Sequence, residues 1–254
     1  MYILALSSIS YLISFILFLF TSIKGYNLRR PAITFAILGL VLYIFYLTYI
    51  YIRTGEFPVG DPYGTVSLIG NTIVFIYLFL YLILKREISD FGFTIVFTAL
   101  FCNIMGIPAK ASHYNNPLYT LHIIFATLSY AFIFIGGFFS FIRLVTEKQL
   151  KQKRMGKFHT PINLLRNLEK FSVNSAFITL TLTLIFGSFW AREFFGKHWI
   201  DDLKLIITMV MWFYYAFLVH PYSRRSFGPS KYSILVITGT LGSLFNLIFI
   251  RHSF

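Results

Sequence analysis

The sequence predicts an all-α fold, a polytopic membrane helical bundle of about eight transmembrane helices with both termini outside. Three observations predict it. Hydrophobic residues are 57% of the chain and charged residues only 12%, about half the charged share of a soluble domain. Mean hydropathy is +0.73. Apolar runs follow one another along the whole chain, at about 2–23, 32–52, 66–84, 92–108, 119–145, 173–191, 204–220 and 232–250, and roughly 20 apolar residues cross a bilayer core. Unpaired backbone is not tolerated in lipid, so these runs are expected as helices. They leave no room for a separate soluble domain of ordinary size, and residues 1–254 are expected to form a single integral-membrane domain.

The first run has no basic stretch before it and no small-residue cleavage site after it, and is read as a retained helix. In the second loop, RTGEFPVGDPYG, Gly55, Pro58, Gly60, Pro62 and Gly64 punctuate an irregular turn before the third run. The fourth run holds the only cysteine, Cys102. No disulfide framework, CxxC pair or CxxCH haem-attachment site follows from one cysteine. The fourth loop, PAKASHYNNP, carries His113, placed as a solvated loop residue with a ligand role as the alternative. The longest polar piece, 146–172, is TEKQLKQKRMGKFHTPINLLRNLEKFS. It reads as a basic cytoplasmic loop with His159 at its surface. Its second half, with Ile162, Leu164, Leu165 and Leu168 beside Arg166 and Lys170, has the alternative of an amphipathic helix on the membrane surface. Asn71, Asn103, Asn174 and Asn246 fall in or near apolar runs and are expected to hydrogen-bond between helices.

The net charge of +13 is unevenly spread. Of the 22 lysines and arginines, 16 lie in odd-numbered loops. The positive-inside rule puts those loops in the cytoplasm, and the same charge attracts anionic lipid heads. No basic fold module of the usual kinds is present, so no nucleic-acid partner is expected.

The most informative stretch runs from Gly187 to His220, GSFWAREFFGKHWIDDLKLIITMVMWFYYAFLVH. A loop over about 187–205, facing outside, is expected to carry Trp190, Phe194, Phe195 and Trp199. Such aromatics are either an interfacial belt or faces for a large flat ligand such as a porphyrin. His122, in LYTLHIIFATLSY, falls near the outer end of the fifth run, and His252 just past the eighth. His220 closes the seventh run on the inner side. Paired neutral imidazoles hold haem iron; three interfacial histidines without a ligand are the alternative. Arg192 or Lys197 would meet haem propionates, or pair with Glu193 and Asp202 instead.

These segments resemble the CcsA/CcmC superfamily of cytochrome c assembly proteins, whose external loop reads roughly WAxxxWGxxWxWDPKE and is followed by a helix ending in His. Trp190-Ala191, Gly196, Trp199, Asp202 and Lys204 match it in register, and His220 follows at the family spacing. LHIIFATLSYAF around His122, LFNLIFIRHSF around His252 and TGEFPVGDPYG are similar to three further family segments. The loop is degenerate. Phe195 stands for a Trp, Asp201 for a Trp, Leu203 for Pro and Leu205 for Glu, and Tyr43 stands where the family has an inner histidine.

The resemblance, closest to the CcsA/ResC type, implies a haem-handling subunit in cytochrome c biogenesis in the bacterial cytoplasmic membrane. It implies that His122 and His252 ligate the iron of haem b, that His220 belongs to a possible inner site, and that Trp190, Phe195, Gly196, Trp199 and Asp202 pack about the porphyrin. It also implies a ResB-type membrane partner, and an apocytochrome c whose CxxCH thiols take the haem, as in a haem-lyase type of synthase. The alternatives are a haem transporter without synthase activity and a scaffold paralogue without haem.

Overall fold

The computed structural model describes residues 2–24, 26–110, 116–153, 160–220 and 226–250. His113, His159 and His252 lie outside the described residues. Among those described there is no strand. Helices α1 (Tyr2–Lys24), α2 (Arg29–Thr54), α3 (Pro62–Leu84) and α4 (Gly92–Met105), with a 3₁₀ stretch at Lys85–Phe91, precede α5 (Pro117–Lys151), α6 (Ile162–Phe195), α7 (Leu203–Val219) and α8 (Pro229–Phe249). Among the described residues, seven spans are long and apolar enough to cross a membrane; α7, at 17 residues, is shorter but within the crossing range. Large apolar side chains such as Phe75, Leu82, Phe213 and Ile248 point outward, as lipid-facing residues do. The chain is an integral membrane protein.

The backbone divides into two compact units, residues 1–115 and 116–254. In the first, α1 and α2 pack through small residues. Ser7 Oγ donates to the Gly39 carbonyl at 2.7 Å and Ser14 Oγ to that of Ala32 at 2.6 Å. Tyr11 covers Gly39, and its hydroxyl donates to Asn71 Oδ1 at 2.7 Å. Asn71 Nδ2 donates to Asn103 Oδ1 at 2.6 Å, and Asn103 Nδ2 to Ser7 Oγ at 3.1 Å. Both asparagines thus bond between helices, as expected. Each such bond contributes about 0.6 kcal/mol in a bilayer, so the network acts more on register than on stability. Tyr43 is buried against Leu4 and Tyr46.

The first turn of α3 packs tightly against the preceding loop at Gly64. Asp61 Oδ2 accepts from the Tyr63 N–H at 3.1 Å, and a Cβ on Gly64 would lie 1.6 Å from the Pro58 carbonyl oxygen. That is backbone, which cannot swing aside. Gly64→Ala is expected to destabilise by about 3 kcal/mol, the upper range for overpacking, read as a lowered thermal midpoint of the purified protein.

In the second unit Ile133, Val173, Ala176, Leu180, Met211, Tyr215, Leu218, Tyr232 and Val236 form the core. Here the loop expected at 146–172 is corrected. α5 continues to Lys151 and α6 already begins at Ile162. Leu165 and Leu168 are buried, so this segment is neither a solvated loop nor a surface-lying helix, but the first turns of α6. The physical reason lies in two charges that read as polar punctuation. Arg143 is 1% exposed and Glu169 0%. The Arg143 guanidinium pairs with Glu169 and donates to the Pro229 carbonyl. Glu169 also accepts from Ser140 at 2.6 Å and from Ser233. Paired and hydrogen-bonded, the charges become core residues that join α5, α6 and α8.

Candidate functional site

Asn116 and Pro117 start α5. The Asn116 side chain accepts from the Leu118 and Tyr119 N–H groups at 2.7 and 3.2 Å, and proline occupies the first turn. This fixes His122 in the second turn, half-buried against α6. Its Nδ1 lies 2.9 Å from the Thr183 carbonyl oxygen. A carbonyl only accepts, so on a neutral ring Nδ1 carries the proton and Nε2 the lone pair. A backbone carbonyl that orients an imidazole in this way is the usual support of a metal-ligating histidine. The ring fits because α6 has no side chain one turn on from Thr183. A Cβ on Gly187 would lie 2.7 Å from His122 Nδ1.

His122 lines a cavity between α5, α6, α7 and α8, with Ala126 and Tyr130 below it on α5, Thr183 and Gly187 on α6, Lys204 and Thr208 on α7, and Asn246 on α8. Asn246 Nδ2 donates to Tyr130 Oη and to Thr208 Oγ1, each at 3.2 Å. The expected interhelical role of Asn246 is therefore met.

The aromatic segment differs from the expected loop. α6 runs on to Phe195, so Trp190, Phe194 and Phe195 are helical. Gly196 ends the helix with φ +73°, the left-handed conformation that favours glycine, its N–H donating to the Arg192 carbonyl. The irregular part shortens to Gly196–Asp202. Helix continuation buries Trp190, which meets Tyr119 at a ring-centroid distance of 5.1 Å, Phe194 at 5.6 Å and Phe195 at 5.7 Å. Trp199 is exposed, and its indole N–H donates to Asp201 Oδ1 at 3.1 Å. Asp201 thus orients Trp199. Asp202, buried, caps α7 by accepting from the Leu205 N–H at 3.0 Å.

Within the second unit, the start of α5, the end of α6 and the start of α7 bring His122, Trp190, Phe195 and Lys204 to one end. His220 is exposed at the other end of α7, as its C-cap, and is not brought to His122. His252 follows α8, two residues beyond the last described residue, Ile250. Sequence reasoning missed Thr183, Gly187, Tyr130 and Thr208. The available signal was spacing: 122, 126 and 130 share one face of a helix, as do 183 and 187.

Fold and site thus define a class: a polytopic helical membrane protein that presents an oriented imidazole in a cavity beside an aromatic helix end. The family model described as "Cytochrome C assembly protein" matches residues 2–253, and the chain belongs to this family. It is similar to the cytochrome c biogenesis protein CcsA of Chlamydomonas reinhardtii, 24% identical over 236 residues that cover 85% of this chain and 64% of that protein. The CcsA proteins of a Prochlorococcus marinus strain (22% identical; 78% of this chain, 74% of that protein) and of Nicotiana tomentosiformis (23%; 80% and 78%) are similar too. The chain spans just under two thirds of the Chlamydomonas protein's length.

Proposed function

We propose that this protein acts in cytochrome c biogenesis by binding haem b and holding it at the outer membrane face for transfer to apocytochrome c, together with a ResB-type membrane partner. The observation that carries the reading is the Nδ1 contact of His122 with the Thr183 carbonyl, which on a neutral ring selects the tautomer with its lone pair on Nε2, the form an iron ligand takes. Family membership and the similarity to CcsA proteins support it.

The residues fit the group by donor chemistry: a carbonyl-oriented imidazole, aromatic faces at Phe195 and Trp199 with the buried Trp190 packed behind them, and a cation, Lys204, lining the same cavity. The cavity, about 80 Å³, is smaller than a macrocycle, so it would not hold the porphyrin itself; His122 would hold the iron, and Phe195 and Trp199 would offer the ring apolar faces. His252 supplies the second ligand. His220 belongs to a separate inner site. Haem itself supplies vinyl groups, to which the two CxxCH thiols add, each S–H adding across one C=C. The chain binds, orients and excludes water, and no side chain need be an acid or base. The positive-inside distribution supports placing this end outside a bacterial cytoplasmic membrane.

Gly187→Ala tests the notch. It is expected to displace the His122 ring and lower haem retention about tenfold, the lower range for loss of a ligand's supporting contact, with little change in thermal midpoint. Unchanged haem content in the variant would count against His122 as the ligand.

A further inference from the structure

The cavity beside His122 has a volume of about 80 Å³ and walls that include Ala126, Ile133, Leu180 and Met211. The polar residues around it turn their groups elsewhere. The hydroxyls of Ser129, Thr183, Thr208 and Ser243 each donate to the carbonyl one turn back on their own helix, at 2.7, 2.8, 2.7 and 2.9 Å. Asn246 Nδ2 is taken by Tyr130 Oη and Thr208 Oγ1, and Asn246 Oδ1 is buried with almost no surface facing the space. What lines the cavity is therefore overwhelmingly apolar. A buried water needs two to four polar partners, and so apolar a lining does not gather them.

Dry space of this kind is uncommon in a packed interior, where voids larger than a water molecule are few. The groups around it forgo dispersion contacts that a molecule of matching size restores. An apolar cavity of about 150 Å³ stays dry and takes benzene or xenon, so about half that volume suits about three carbon-sized atoms. The same lining excludes an ion, which would lie there unpaired.

We propose that this cavity is a dry binding site for one small uncharged apolar molecule, of the size of xenon or propane, and that the molecule sits against the His122 ring, which lines the same space. Such molecules dissolve in the bilayer around the bundle. The occupant is selected by size and polarity alone, so the site does not depend on the haem reading.

The test is methyl and imidazole NMR of the full-length protein in nanodiscs, titrated with xenon and separately with propane. Saturable shifts are expected for the methyl groups of Ile133, Leu180 and Met211 and for the His122 ring. Ile69 and Ile88, buried in the first unit, are expected to stay in place. In Ala126→Leu the isopropyl end fills the space, and the shifts are expected to be lost; in Ala126→Val they are expected to need more ligand to saturate. Shifts that never saturate, that appear equally at Ile69 and Ile88, or that survive unchanged in Ala126→Leu overturn the site. So do water-to-methyl cross-peaks at Ile133, Leu180 and Met211. If Ala126→Leu does not fold, Ala126→Val decides, and wild-type affinity in it overturns the site. Methyl shifts with an unmoved His122 ring overturn the placement against the imidazole.

Discussion

His122→Ala is expected to lower holocytochrome c formation by at least about 100-fold. Loss of a ligand's supporting contact alone costs 10–100-fold, and this substitution removes the ligand itself. The measurement is haem staining of a c-type cytochrome in a host without its own maturation genes, supplied with this chain and a ResB-type partner. Added imidazole should restore part of the yield, because alanine leaves space where the ring stood against Gly187. A merely structural histidine would not respond to imidazole. Wild-type cytochrome levels in the variant would remove His122 from the mechanism.

Glu169→Ala is expected to be the most destabilising substitution away from that site. It leaves the Arg143 guanidinium, 1% exposed, without its main counter-charge, and breaking a buried pair costs about 3–5 kcal/mol. It also strips Ser140 and Ser233 of their common acceptor. The double variant Arg143→Met, Glu169→Leu should recover part of the loss, since apolar replacement of a buried pair is often neutral, while Glu147, whose Oε1 lies 3.3 Å from Arg143 Nε, loses its cation. Thermal unfolding of the three proteins checks both statements. A single variant as stable as wild type would show that α5, α6 and α8 do not depend on this pair.

These residues also show where the sequence is legible and where it is not. Apolar run length identifies each of the eight α-helices given above among the described residues, because a bilayer demands uninterrupted apolar stretches. The ends of α5 and α6 are illegible by the same criterion. Thr146, Glu147 and Lys148 look like the start of a loop, yet α5 continues through them to Lys151. That Arg143 answers Glu169 across 26 residues is a tertiary fact with no local trace. Trp190 and Phe195 were visible as aromatics but not as helical ones, since the stop at Gly196 depends on its left-handed backbone.

At the site, His122 could be singled out from its position and from the resemblance. The choice of its ring nitrogen could not, because it depends on the Thr183 carbonyl and on the missing side chain at Gly187. Asn246 was legible as a polar residue in lipid, but its unanswered oxygen appears only once α5, α7 and α8 are packed.

The most direct measurement of the central claim is the absorption spectrum and pyridine-haemochrome content of the detergent-purified protein, co-expressed with a ResB-type partner, beside His122→Ala and His252→Ala. The account predicts a six-coordinate b-type spectrum in wild type that is lost or converted in both variants. A haem-free wild type, or haem that ignores both substitutions, would contradict it.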